Sequence, residues 1–251
     1  MTLYFEEYNS SWKQYLVIEN GILIKCYKPK FNGVNRISLA FYNLKSIAEN
    51  AFSELNELQY VELSHCPNLT VIGDNSFSNC VNLQEVNLSD CSNLILIGNN
   101  AFSNCIQLQK INLSYCSNLK TINSRAFNGC SNLMEINLKD TPELMNIGAQ
   151  AFSGCSLLQT LDLSNHKSIK IISPYAFSGC DSLYNINLSN CSNLISIGPK
   201  AFANCLSLEK VDLSWCTNLN SIHQSSFENN QCIKFITDGI TNPRIKNILN
   251  Q

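Results

Sequence analysis

Apolar residues along the chain keep two short rhythms inside one longer period. Phenylalanine stands at 52, 77, 102, 127, 152, 177, 202 and 227, a 25-residue step without a slip. Within each step a set such as Leu83-x-x-Val86-x-Leu88 ends on two apolar residues spaced by two; Leu108/Ile111/Leu113, Leu183/Ile186/Leu188 and Leu208/Val211/Leu213 repeat it. Spacing by two puts alternate side chains inward and predicts a strand. A second set, Leu94-x-x-Ile97 and its copies, is followed by Gly98, Gly148 or Gly198, with Asn123 in the same column, and predicts a sharp corner taken at positive φ. Ala48, Ser173 and His223 also occupy that column. The A-F-x-x-C segment is too short for a full helix and reads as a single helical turn.

A fixed period of this length marks a solenoid, in which each unit buries its apolar residues only against its neighbours. The pattern predicts eight units, starting at Val34, Leu58, Leu83, Leu108, Leu133, Leu158, Leu183 and Leu208. At about 4.8 Å between strands the stack would be roughly 35–40 Å long, with the phenylalanines as an internal spine. Residues 15–28 hold two β-rich runs joined by Asn20-Gly21, a hairpin signal, which would cover the first unit. Ile233-x-x-Ile236 opens one more strand before the pattern stops. The expected division is therefore an N-terminal cap over 1–33, repeats over 34–232 and a C-terminal cap over 233–251, with the array complete.

Composition narrows the partners. The net charge of −2 is close to neutral, and Lys and Arg are scattered, with no basic stripe to meet a run of phosphates, so nucleic acid is not expected. No apolar run approaches the ~20 residues of a membrane span. Glu6 and Glu7 stand where a signal peptide would carry positive charge. Eleven of the thirteen cysteines follow the repeat. One column is Cys80, Cys105, Cys130, Cys155, Cys180 and Cys205; the other is Cys66, Cys91, Cys116, Cys191 and Cys216, with Thr141 and His166 in its two remaining places. A column in which Thr replaces Cys holds small buried side chains rather than bridge halves. Free thiols in turn fit a reducing compartment.

The unit A-F-x-x-C-x-x-L-x-x-[VI]-x-L-S-x-C-x-N-L-x-x-I-G resembles a leucine-rich repeat, and its L-x-x-I-G-x-x-A-F-x-x-C part resembles the BspA-like, Treponema-type subclass. The resemblance covers about 34–236 and implies a curved α/β solenoid. Its parallel β-sheet would line a concave wall, with single helical turns and short strands on the convex side. Members of that family occur in bacteria and parasitic protists, and several are surface proteins that bind host or matrix proteins. The resemblance implies no catalytic residue and no cofactor. Two features depart from it: a 25-residue unit, and L-S-x-C-x-N-L where I-P-x-x-V is frequent. The Cys-bearing loop is similar to repeats of intracellular substrate receptors in ubiquitin ligases, although the helical adaptor-binding segment those proteins carry is not expected from residues 1–33.

On such a wall the non-leucine strand positions face solvent. Between the last two apolar residues lie Glu62, Asn87, Asn112, Asn137, Asp162, Asn187 and Asp212; two places earlier lie Tyr60, Glu85, Lys110, Glu135, Thr160, Asn185 and Lys210. Beyond the strand come His65, Asp90, Tyr115, Asp140, Asn165, Asn190 and Trp215. The Asn/Asp column reads either as a solvated face copied from one parent repeat or as an amide- and acid-lined trough for a protein or glycan. Tyr60, His65, Tyr115, Tyr184 and Trp215 add large amphipathic groups, which are enriched in interface hot spots; Trp215 also reads as a cover over the last unit. Together, Tyr60, Glu62, His65, Glu85, Asp90, Lys110, Tyr115, Asp140, Asp162, Tyr184, Lys210, Asp212 and Trp215 form the candidate partner-binding set.

Catalysis and metal binding find little support. His65, His166 and His223 fall on different units, and the thiol columns place one cysteine per unit rather than a converging C-x-x-C pair. Asn9, Asn68, Asn87, Asn112 and Asn187 begin N-x-[ST] sequons, and sugars at 87, 112 and 187 would block the trough. The expectation is a monomeric, non-catalytic protein-binding module. Family resemblance places it at the cell surface; the absent leader, free thiols and sequons place it in the cytosol as a scaffold or recognition subunit.

Overall fold

The computed structural model describes residues 2–4, 16–26, 33–39 and 43–249. Each coil carries one three-residue strand and one two-residue strand. The three-residue strands are Thr2–Tyr4 (β1), Arg36–Ser38 (β4), Tyr60–Glu62 (β6), Glu85–Asn87 (β8), Lys110–Asn112 (β10), Glu135–Asn137 (β12), Thr160–Asp162 (β14), Asn185–Asn187 (β16), Lys210–Asp212 (β18) and Lys234–Ile236 (β20). A hairpin of Leu16–Glu19 (β2) and Ile22–Cys26 (β3) leads into the two-residue strands Ser46–Ile47 (β5), Val71–Ile72 (β7), Leu96–Ile97 (β9), Thr121–Ile122 (β11), Asn146–Ile147 (β13), Ile171–Ile172 (β15), Ser196–Ile197 (β17) and Ser221–Ile222 (β19). The short strands and the hairpin form one continuous ten-stranded sheet. The long strands pair in parallel, but as two sheets: β1-β4-β6-β8-β10-β12, then β14-β16-β18-β20.

The two-residue rhythm does what it predicts. In β8, β10 and β16 the middle residues Val86, Ile111 and Ile186 are buried, while the flanking positions reach the surface. The phenylalanines stack ring on ring from Phe52 to Phe227, with centroids 4.9–5.5 Å apart. Beside them the buried thiols stitch each coil to the one before. Cys105 Sγ donates to Phe77 O at 3.1 Å, and Cys116 Sγ to Leu88 O at 3.1 Å. The cysteines described by the structure, Cys66 through Cys232, are unbridged.

Two local expectations are corrected. The A-F-x-x-C segment is not a helical turn but a run of tight turns. Asn100 and Asn104 take φ of 51° and 58°, and alternate amides donate to the next coil, as Phe102 N does to Ala126 O at 2.7 Å. The reason is the stack itself, since a helix would turn those donors inward and leave the next coil without them. The glycine column does not serve positive φ either, because Gly73, Gly98, Gly148 and Gly198 are absent from the positive-φ glycines. It serves close approach: a Cβ on Gly148 would stand 2.5 Å from Ser124 N and 2.6 Å from Asn123 C. Where the column carries a side chain, at Asn123 and Ser173, both neighbours are glycine. Gly148→Ala would put three side chains in succession and is expected to cost ~1–3 kcal/mol, the usual penalty of overpacking; an unchanged urea midpoint would refute the close-approach account.

Each end is built as more than a repeat. Asn20 and Gly21 turn the β2–β3 hairpin at φ of 52° and 80°, and β3 pairs in parallel with β5, which covers the first coil. β1, which pairs with β4, had no signal in the sequence pattern. At the other end β20 follows β18, and Phe235 meets Phe227 edge-on at 5.2 Å. A helix, Pro243–Leu249 (α1), then closes on Ile245 and Leu249. Its start was readable, since Asn242 accepts from Arg244 N and Pro243 takes the first helical position.

Candidate functional site

The long-strand face carries most of the candidate residues in register. Glu85 lies beside Lys110, and Lys110 beside Glu135; Asn185 lies beside Lys210. Tyr60 OH donates to Gln84 Oε1 at 2.8 Å and its ring carries Arg36 at 5.2 Å. Tyr184 stands just before β16 and is 46% exposed.

The Asn/Asp column has a structural task at each strand end. Asn87, Asn112, Asn137, Asp162, Asn187 and Asp212 each accept, through Oδ1, the amide two residues on, at 2.9–3.1 Å. Glu62 does the same for Ser64. This local bond, typical of Asn and Asp, closes each strand end.

The next column turns the chain in the left-handed region. His65, Asp90, Tyr115, Asp140, Asn165, Asn190 and Trp215 all have φ between 55° and 64°. Asp and Asn tolerate this, whereas bulky residues pay about 1–2 kcal/mol for it. Tyr115 and Trp215 nevertheless stand there, 48% and 56% exposed. They are held by Tyr115 N→Lys139 O and Trp215 N→Asp238 O, at 3.0 and 2.6 Å. Lys139 Nζ lies 5.9 Å above the Tyr115 ring. Trp215 also lies against the cap, since a Cβ on Gly239 would meet its ring at 2.6 Å. His65 Nε2 lies 3.6 Å from Asp90 Oδ2, while the buried Cys66 thiol donates to Leu39 O, so this His and Cys do not address each other.

Between β12 and β14 the wall is open. Leu113 N→Asn137 O and Tyr115 N→Lys139 O tie the preceding coil, and Leu163 N→Asn187 O and Asn165 N→Ser189 O the following one. Leu138 and Asp140 make no such bonds to Asp162 and Ser164. Most Cα atoms of β12 stand more than 8 Å from those of β14, against ~4.8 Å for paired strands. On the opposite side the same coils remain closed: β13 pairs with β15, and Phe152 stacks on Phe177 at 5.2 Å.

The break falls where the cysteine column changes. Thr141 turns its hydroxyl to Leu138 O of its own coil at 2.8 Å, instead of reaching back as Cys116 does. The Thr141 oxygen also lies 2.9 Å from Nε2 of the His166 ring, whose Nδ1 lies 3.2 Å from Ser164 O. An imidazole thus stands where the repeat places a thiol, at the point where the two coils part. The result is a cleft of about 620 Å³, with Ile136, Leu138 and Pro142 on its walls and Asp140 and Asp162 among its polar groups.

The family profile described as BspA type leucine-rich repeat region matches residues 24–141 and 97–234, in six copies. The chain belongs to that family. A search of curated proteins gives no match. Among solved structures, a leucine-rich repeat protein of Treponema pallidum is 25% identical over 74% of this chain and 82% of its own, with a TM-score of 0.61. A leucine-rich cell surface protein of Faecalibacterium prausnitzii is 19% identical, over 74% of each chain, with a TM-score of 0.28. Drosophila Toll, in its complex with Spätzle, is 15% identical over 88% of this chain and 30% of the other, with a TM-score of 0.44.

As a BspA-type leucine-rich repeat protein, the chain is a repeat module of a generally protein-binding class. No described helix is long and apolar enough to cross a membrane. The sequence pattern singled out Asp140 and Asp162 but not the cleft that joins them. Its signal was present, since Thr141 and His166 interrupt the thiol column in two successive coils.

Proposed function

We propose that this BspA-type repeat protein is a non-catalytic module that binds a host or matrix protein through its long-strand face. Tyr115 and Trp215 carry the reading. Large aromatic groups at strained, positive-φ positions, half exposed on a polar wall, break the local rule that Asp90, Asn165 and Asn190 keep. Such exceptions mark functional positions more often than packing ones. Tyr60, Glu85, Lys110, Tyr184 and Lys210 surround them on the same wall, and Glu62, His65, Asp90 and Asp212 complete it.

The test is binding to a panel of purified extracellular-matrix proteins by biolayer interferometry. Tyr115→Asn with Trp215→Asn is expected to weaken the strongest interaction by about 100-fold or more, as for loss of two hot-spot aromatics. Asn is at home at positive φ, so the backbone is relieved rather than strained. Unchanged affinity would remove this face from the reading. A second reading, a cytosolic scaffold with an intracellular protein partner, is favoured by the buried unbridged thiols, which suit a reducing compartment. Antibody staining of intact and permeabilised source cells separates the two.

A further inference from the structure

The opening between β12 and β14 presents unpaired backbone groups of the kind a strand site offers. Inserting one strand between two others requires about twice the ~4.8 Å pairing distance. Most Cα–Cα pairs between β12 and β14 lie beyond 8 Å, so the two strands are parted, while the short-strand side acts as the spine of the opening. On one edge the amides of Leu138 and Asp140 lack the partners that their counterparts Leu113 and Tyr115 have; on the other edge the Asp162 carbonyl lacks its amide partner, and Ser164 O has the His166 ring at 3.2 Å in place of one. Ile136 is only partly buried, although its counterparts Val86 and Ile111 are fully buried, so an apolar wall faces the space.

Charge identifies the occupant. Asp140 and Asp162 both line the cleft, and no ion pair to either occurs among the described residues. The nearest cation in the lining, Lys139, is turned to the Tyr115 ring. The vacant position is therefore an acidic one beside an apolar wall and two open strand edges. We propose that the break is an acceptor site for one extended, basic peptide segment of a protein partner. The segment adds as a strand to the edge of β12, directs alternate apolar side chains onto Ile136 and Leu138, and sets Lys or Arg against Asp140 and Asp162. This rests on the protein-binding reading and assigns it a subsite. The two exchanges in the thiol column, Thr141 and His166, are the features that keep the site open.

Two capped, dye-labelled hexapeptides serve as probes, one alternating valine with lysine and one alternating valine with glutamate, titrated by fluorescence polarisation. The lysine peptide is expected to bind the native protein at least tenfold more tightly than the glutamate peptide. Asp140→Asn with Asp162→Asn is expected to weaken it at least tenfold, with the fold kept because Asn occupies both columns elsewhere. Thr141→Cys with His166→Cys restores the stitch and is expected to close the sheet and abolish binding; if that variant does not fold, the Asn pair decides alone. Amide exchange gives a ligand-free check, with Leu138 and Asp140 exchanging at least tenfold faster than Leu113 and Tyr115 in the native protein and slowing in the cysteine variant. Equal protection of the two pairs, no binding of the lysine peptide, or equal affinity for both peptides would overturn the proposal. A matrix-protein interaction that is lost with Tyr115 and Trp215 but indifferent to Thr141→Cys/His166→Cys would keep the protein-binding reading and remove only this site.

Discussion

Raising the pH through about 9 is expected to unfold this protein in one steep step. Burial pushes the thiols of Cys116, Cys130, Cys191, Cys205 and Cys216 up to about 12 from an ordinary 9.0. Desolvation likewise raises Cys105, Cys155 and Cys180, and the bond to Cys66 together with burial raises Cys91. In the unfolded chain these nine thiols ionise near pH 9, while in the fold they keep their protons. The folded state therefore binds more protons above pH 9, and its advantage is complete below that value and falls as pH rises. Each such group removes about 1.4 kcal/mol per pH unit, so nine together remove on the order of 12 kcal/mol per unit. Domains of ordinary stability hold only about 5–15 kcal/mol, so the midpoint should fall within roughly a unit or two above pH 9. Circular dichroism and thiolate absorbance, followed in one titration, should change together. Thiolate signal growing over an intact fold would show that the columns reach solvent.

Phe127→Ala is expected to cost about 3–5 kcal/mol, as for loss of a fully buried aromatic ring. The ring is 0% exposed and stacks at 5.1 Å on both Phe102 and Phe152, so one substitution damages two coil interfaces. For a chain of this size the melting temperature should fall by roughly 6–20 °C. Phe227→Ala is the comparison. That ring is only partly buried and has Phe202 on one side with the edge of Phe235 on the other, so its removal should cost clearly less. Equal losses at the two positions, or none at Phe127, would dismiss a spine in which each ring supports both neighbours.

How far the pattern could be read depended on whether a position answers to its own coil or to its neighbours. The strand positions, the phenylalanine spine, the buried thiols and the Asn20-Gly21 hairpin follow from local spacing and side-chain size, and the fold has them where the pattern puts them. The glycine column was read for the wrong reason, because its demand comes from the backbone of the preceding coil rather than from its own φ. The turn segment was misread as helical because its amides are satisfied by the next coil. For the proposed binding face, the sequence named candidates but not their local geometry: in the Asn/Asp column the bond is to the amide two residues on, and the left-handed turn that presents Tyr115 and Trp215 leaves no mark on their side-chain type.

The sequence by itself determined a stack of 25-residue coils with strands, spine and thiol columns, because a strict period makes every coil's environment the same as its neighbour's. Only the tertiary structure decided where that equivalence fails. Thr141 and His166 read as two more small or buried members of a column, and buried they are, at 1% and 9% exposure. Yet a hydroxyl that bonds within its own coil and a ring larger than a thiol stand where the long-strand wall parts, while the phenylalanine side stays shut. Whether one interrupted column yields a silent substitution or an open cleft depends on distances between coils, and those exist only once the coils are stacked.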